Sequence, residues 1–170
     1  MGGKTFYILS IDGGGIRGVF PAHILSCLSD RLEIDIFNKF GLISGTSTGS
    51  IVAAGVAQHI PATDLVELYR EHGAHIFSRK CSFAPQKLQS ALSSIYKNEN
   101  LKEILDSTLG NVTLGEITKP LLLPATDIGH GGVHVFKSGY SKEFTRDVNV
   151  PLVDAVLASC SAPTYFDPTK

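Results

Sequence analysis

Paired cysteines, long apolar runs and an excess of one charge are all missing from this chain. Its 170 residues carry 15 basic and 16 acidic side chains, for a net charge of −1. No basic block of the kind that drives sequence-independent nucleic-acid binding is present, so no nucleic-acid partner is expected. The three cysteines, Cys27, Cys81 and Cys160, form no C-x-x-C pair and sit beside no histidine cluster. Neither a metal site nor a disulfide framework is indicated. Cys27 and Cys160 fall in apolar runs and read as buried free thiols, a usage that fits a reducing compartment. No window reaches the roughly 18 apolar residues of a membrane span, and Met1–Lys4 opens no signal peptide. The expectation is a soluble, cytoplasmic protein that meets membranes only at their surface.

What is present suits a globular domain. Hydrophobic residues make up 43% and charged residues 18%, which argues against disorder. The length fits one domain over residues 1–170, with no internal repeat or linker. Thr5–Ile11 is β-branched and aromatic, and reads as a buried strand. The glycine-rich turn Asp12–Gly18 follows, then a helix over Ala22–Leu32 with Pro21 at a first helical position. Phe40–Ser44 is a second apolar strand, leading through Gly45–Gly49 into a small-residue helix over Ser50–His59. This alternation indicates an α/β layered fold with a mostly parallel central sheet flanked by helices. Farther on, helices are expected at Pro61–Ala74, Gln86–Ile95, Asn100–Leu109 (ended by Gly110) and Val150–Cys160 (opened by Pro151). Phe77–Pro85 reads as loop. Pro120–Thr126 and Gly132–Lys137 read as strands joined by a glycine-rich turn.

Two segments carry chemistry. Gly45-Thr46-Ser47-Thr48-Gly49 is a G-x-S-x-G sequence between a predicted strand and a predicted helix. A serine nucleophile needs that sharp turn to expose its hydroxyl, and the flanking glycines permit it. The following helix would aim its N-terminal amides at Ser47. The bland alternative is an ordinary glycine-serine turn at a helix start. The second segment, Asp12-Gly13-Gly14-Gly15-Ile16-Arg17-Gly18, can fold its amides into a concave nest for a developing oxyanion. Each such donor is worth about 2.7–4 kcal/mol of barrier. Arg17 adds a fixed positive charge suited to an anionic head group, and Asp12 is placed to brace the turn.

The same glycines also satisfy G-x-G-x-x-G (Gly13, Gly15, Gly18), a dinucleotide fingerprint. No acidic residue stands at the end of the second strand, however; Glu33 and Asp35 come before it. A nucleophile elbow occupies that place instead. The oxyanion reading is preferred. A Ser–Asp–His arrangement would need Asp106 or Asp127 followed by His130 or His134, but the chain is short for that fold and its oxyanion loop differs. His72 and His75, with no carboxylate companion, make a poor metal site.

The glycine run Asp12–Gly18, then Gly45–Gly49 one strand later, resembles the patatin-like phospholipase family. So do Pro124-Ala125-Thr126-Asp127 and Ala158-Ser159-Cys160-Ser161-Ala162-Pro163-Thr164-Tyr165-Phe166, which extends the resemblance over nearly the whole chain. The resemblance implies a lipid acyl hydrolase, of phospholipase A or esterase type, that uses a serine–aspartate dyad and an acyl-serine intermediate. Its partners would be phospholipid or glycerolipid at a transiently contacted membrane surface, with no metal or organic cofactor. On that pattern Ser47 is the nucleophile, Gly13, Gly14 and Gly15 line the oxyanion hole, and Arg17 and Gly18 belong to the loop facing the head group. Gly45, Thr46, Thr48 and Gly49 form the elbow. The family's dyad aspartate comes from an Asp-Gly-Gly or Asp-Gly-Ala segment after Ala-Pro-Thr-Tyr-Phe, and no Asp-Gly pair follows Ser47 here. Asp127 and Asp167 are poor substitutes. The chain is therefore expected to be an N-terminal portion of the domain, inactive or slow by itself. A pseudoenzyme module that binds lipid or protein without turnover is the alternative. Some bacterial members of the family are membrane-degrading effectors switched on by small signalling molecules. Nothing in the sequence speaks to the oligomeric state.

Overall fold

The computed structural model describes residues 5–76 and 98–161. The expected loop at Phe77–Pro85 and helix at Gln86–Ile95 lie outside these residues, as do Cys81 and Asp167. Four strands form one sheet in sequence order: β1 (Ile8–Ile11), β2 (Leu42–Gly45), β3 (Leu121–Asp127) and β4 (Gly132–Lys137). The first three run parallel, with Ile11 opposite Gly45 and Ile43 opposite Leu121. β3 and β4 form an antiparallel hairpin in which Asp127 faces Gly132. The mostly parallel α/β fold expected from the alternation is present.

The helices are α1 (Val19–Leu32), α2 (Ile36–Lys39), α3 (Thr48–Ala57), α4 (Ala62–Ile76), α5 (Asn98–Leu109) and α6 (Leu152–Cys160). A short 3-10 turn over Gly15–Gly18 precedes α1, so the helix begins three residues before the expected Ala22. Gly110 ends α5 at φ 70°, and Pro151 stands at the N-cap of α6. α2 was not expected. It forms because Asp35 caps it, accepting the Asn38 N–H at 3.0 Å.

α3 is the centre of the molecule. All ten of its residues are buried, as a helix apolar on every side must be. It packs on β2, while α6 packs on β3 and against α3. The close fit depends on small residues. A Cβ at Gly45 would stand 2.7 Å from Ala53 Cβ, and one at Gly55 2.5 Å from Leu65 Cδ2. Leu65, Leu68 and Tyr69 of α4, and Leu101, Ile104 and Leu105 of α5, close the core. Each such large apolar side chain contributes about 1.5–3 kcal/mol relative to exposure.

β1 departs from expectation. Its sequence reads as a buried strand, yet Phe6 is 64% and Ile8 59% exposed. The strand is the sheet's edge among the described residues, and only Ile11 is buried. Cys27 also departs, being half-buried with its Sγ 3.6 Å from His23 Nε2. Cys160 is buried as expected, and burial pushes its thiol up to about 12.

Candidate functional site

β2 ends at Gly45 and α3 begins at Thr48, leaving Thr46 and Ser47 to make the corner. Ser47 adopts φ 53°, ψ −129°, a sparsely populated conformation for a residue with a Cβ. Three bonds hold it there. The Ser47 N–H donates to Ser159 Oγ at 3.0 Å, and that hydroxyl in turn donates to the Pro124 carbonyl of β3 at 2.6 Å. The Ser47 carbonyl accepts the Ser50 N–H at 2.7 Å and the Ser50 hydroxyl. Among the described residues, the Ser47 hydroxyl itself has no hydrogen-bond partner and does not cap the helix. A strained serine is thus fixed through its backbone while its side chain is left free.

The first glycine turn lies directly against this corner. A Cβ on Gly13 would collide with the Thr46 carbonyl and stand 2.5 Å from Ser47 Cβ. A Cβ on Gly49 would collide with the Ile11 carbonyl, and the Asp12 carbonyl is 2.8 Å away. Gly14 (φ 154°) and Gly15 (φ 61°) both occupy backbone regions that favour glycine. Gly18 is buried, with no room for a Cβ beside the Tyr69 hydroxyl, 2.5 Å away. The sequence motifs therefore meet in space.

Within the turn the amides are not equivalent. The Gly14 N–H donates to Thr48 Oγ1 at 3.2 Å. The N–H groups of Gly13 and Gly15 have no hydrogen-bond partner among the described residues, and neither has that of Thr48 at the start of α3. Of these three unbonded amides, Gly13 packs on Ser47 and Thr48 follows it at the start of α3, where the helix dipole favours negative charge. Arg17 is exposed, and its Nε donates to the Gly14 carbonyl at 3.3 Å, bracing the loop. It forms no ion pair with a described residue. The Asp12 side chain makes no hydrogen bond with a described residue, and the Thr48 hydroxyl braces the turn through the Gly14 N–H. Tyr69 supports Thr48 from below, its hydroxyl donating to the Thr48 carbonyl at 2.7 Å, and burial raises its phenol well above the usual range.

Neither histidine of the alternative triad meets Ser47. His130 Nδ1 is 2.7 Å from Asp127 Oδ2 on the β3–β4 turn, where the imidazole is 89% exposed. Asp127 Oδ1 accepts the Gly129 and His130 N–H groups, and these bonds, led by the His130 side chain, hold its carboxyl below the usual range. His134 Nε2 is buried 3.3 Å from Asp147 Oδ1 without a hydrogen bond. Among the described residues Asp106 makes no ion pair with a histidine, and His72 stands 3.9 Å from Glu71. No cluster of three or more metal-ligating side chains occurs among the described residues.

Sequence reasoning missed Ser159 and Tyr69 as supports of the corner. The only signal for Ser159 was its place in the Ala-Ser-Cys-Ser run, and a hydroxyl that reaches another residue's amide 112 positions away leaves no periodicity to read.

A serine on a strand-to-helix corner of an α/β sheet, with a glycine turn against it, is the geometry on which nucleophile elbows are built. A family model described as patatin-like phospholipase matches residues 9–170, and the chain belongs to that family. Relatives include a cGAMP-activated phospholipase of Pseudomonas aeruginosa, 35% identical over 95% of this chain and 48% of its own length. A cGAMP-activated phospholipase of Escherichia coli is 33% identical, over 95% and 47%. Patatin-2-Kuras 3 of Solanum tuberosum is 31% identical over 98% and 44%. The chain thus spans about half the length of these relatives. Among solved structures, VipD of Legionella pneumophila superposes with a TM-score of 0.60 at 14% identity, covering 97% of this chain and 44% of that one. The type III effector ExoU gives 0.56 at 15% identity, covering 91% and 40%, a likeness of fold. Among the described residues, no helix is long and apolar enough to cross a membrane.

Proposed function

We propose that the protein containing this chain is a lipid acyl hydrolase that cleaves acyl esters of phospholipids or glycerolipids through Ser47. The observation that carries this reading is the strained Ser47, whose hydroxyl has no hydrogen-bond partner among the described residues and whose Cβ packs against Gly13. In the reaction, Ser47 Oγ attacks the ester carbonyl carbon and loses its proton to a general base. The carbonyl oxygen becomes an oxyanion, held by the free N–H groups of the glycine turn and the helix start. The carbon–oxygen bond to the glycerol breaks, the leaving alcohol takes the proton, and water then hydrolyses the acyl-serine.

Family membership supports an aspartate as the base, forming a dyad with Ser47 and supplied by polypeptide beyond Lys170. Of the amides read from the sequence, Gly13 and Gly15 are the oxyanion donors. Gly14 serves instead to lock the turn to Thr48. Arg17 holds the loop and offers its charge to a phosphate head group. The enzyme would act at a membrane surface that it contacts transiently, from the cytoplasm.

The test is release of fatty acid from phosphatidylglycerol–phosphatidylethanolamine vesicles by the full-length protein and by Ser47→Ala. Loss of about 10⁴-fold or more is expected, as for other serine nucleophiles. Retention of activity in Ser47→Ala would exclude the mechanism.

A further inference from the structure

Two contacts seat the glycine turn on α4, one polar and one apolar. The polar contact is made by Tyr69, which is 2% exposed. Its hydroxyl donates to the Thr48 carbonyl at 2.7 Å, and burial keeps the phenol protonated, so it stays a donor. The same ring closes the underside of Gly18, where a Cβ would stand 2.5 Å from the hydroxyl oxygen and 2.8 Å from Cζ. Thr48 in turn takes the Gly14 N–H on its Oγ1. One buried side chain of α4 thus supports both the end of the glycine turn and the residue that locks its middle.

The apolar contact depends on Gly73. This glycine is buried within α4, although glycine is a poor helix former. The space left by its missing side chain is filled from the turn, since a Cβ at Gly73 would overlap Ile16 Cδ1. Ile16 lies in the 3-10 segment Gly15–Gly18 and is 47% exposed. The segment therefore meets α4 at Ile16 and at Gly18, on either side of Arg17, with Gly15 directly before the first contact. In close-packed surroundings a displacement of one methyl group is passed on to its neighbours.

We propose that Tyr69 and Gly73 are positioning residues: by seating Thr48, Gly18 and Ile16 on α4 they fix the placement of the Gly13 and Gly15 amides, while Gly14 stays committed to Thr48. The inference rests on the acyl-hydrolase reading of Ser47 and extends it to a helix that touches no reacting atom. Oxyanion donors act by being in place before charge develops. A misplacement of about 1 Å can cost on the order of 100-fold in rate, so the seat of the turn bears directly on turnover.

The experiment measures steady-state kinetics of the full-length protein on p-nitrophenyl butyrate and on its thiono analogue, in which sulfur replaces the carbonyl oxygen. Tyr69→Phe removes the hydroxyl and keeps the ring. Its kcat on the ester should fall about 10-fold, with KM changed by less than about twofold. Its preference for the ester over the thionoester should narrow, because a loosened hole discriminates less between oxygen and sulfur. A hydroxyl that only stabilised the fold would lower the melting temperature and leave that preference unchanged.

Gly73→Ala supplies the second arm. Alanine favours the helix, so a loss of activity here does not come from a weakened α4. Its kcat should fall about fivefold as the new methyl displaces Ile16. Ile16→Val in the same chain removes Cδ1 and should restore kcat to within about twofold of the parent, a coupling read from the double-mutant cycle. Parent-like kcat in Tyr69→Phe, an unchanged ester preference, or a Gly73→Ala defect that Ile16→Val leaves in place overturns the proposal. Ser47→Ala in the same assay separates the two claims. Retained activity there defeats the hydrolase reading, whereas an inactive Ser47→Ala beside parent-like Tyr69→Phe and Gly73→Ala defeats the positioning claim alone.

Discussion

Two corners of this molecule place serine, aspartate and histidine chemistry at the ends of strands, and they are built in opposite ways. At the β2–α3 corner both backbone polar groups of Ser47 are bonded, and its hydroxyl has no partner among the described residues. At the β3–β4 hairpin the side chains are consumed: Asp127 is bonded to His130 and two amides, and Asp147 is bonded to Arg146 and the Lys137 N–H and stands beside His134. Charges satisfied by their neighbours stabilise a turn. A rigid backbone that leaves one nucleophilic atom unpartnered can react.

The contrast is broken most severely at Gly13. In Gly13→Ala the new methyl group would push against Ser47 Cβ and the Thr46 carbonyl, moving the donors away from the corner. Loss of one donor costs about 10²–10³-fold in kcat, and steady-state kinetics of the full-length protein should show at least that. Near-normal turnover would mean that the two turns are not coupled in catalysis.

A smaller effect is expected at Ser159. Ser159→Ala leaves the Ser47 amide and the Pro124 carbonyl without their partner, costing about 1–3 kcal/mol of stability. A lower urea midpoint together with a fall in kcat would show that Ser159 positions Ser47. An unchanged kcat would reduce it to a structural link.

On the other side of the comparison, Asp147 is the group to titrate. Its surroundings act in opposition: burial raises the carboxyl, but the Arg146 side chain and the Lys137 N–H lower it further, and the net direction is down. A depressed carboxylate stabilises the fold above its unfolded value of about 3.9 and ceases to do so as pH falls through the folded value. Asp147→Asn should therefore cost about 1 kcal/mol at pH 7, since Arg146 is largely exposed. The gap from the parent protein should close below about pH 4. A gap that persists in acid would show that charge is not the cause.

The smallest change belongs to His130→Ala. An exposed pair contributes little, so activity should stay within about twofold and stability within about 0.5 kcal/mol. A large loss of activity would reopen the histidine-dependent reading.

Which parts of this could be read from sequence follows from how local each signal is. The G-x-S-x-G turn and the Asp12–Gly18 turn are local, since each needs glycines within a few residues of one another, and both were legible. So was the strand–helix alternation, because the apolar run of α3 lacks any polar face. The supports of Ser47 were not legible. Ser159, Tyr69 and the role of the Thr48 hydroxyl depend on side chains meeting across elements far apart in the chain. The partition of the glycine amides was hidden for the same reason: three adjacent glycines look alike until Thr48 takes one of them. β1 misled in the other direction, since an apolar strand is written the same way whether one or both of its edges are paired, and only one edge of β1 is paired by a described strand.

The proposed function stands on Ser47 being a reactive nucleophile. It is tested most directly by treating the full-length protein with a fluorophosphonate and locating the adduct by peptide mass spectrometry. The account predicts one adduct per chain, on the peptide carrying Ser47, with none in Ser47→Ala. An adduct on another residue, or an unlabelled Ser47 in protein that hydrolyses lipid, would contradict it.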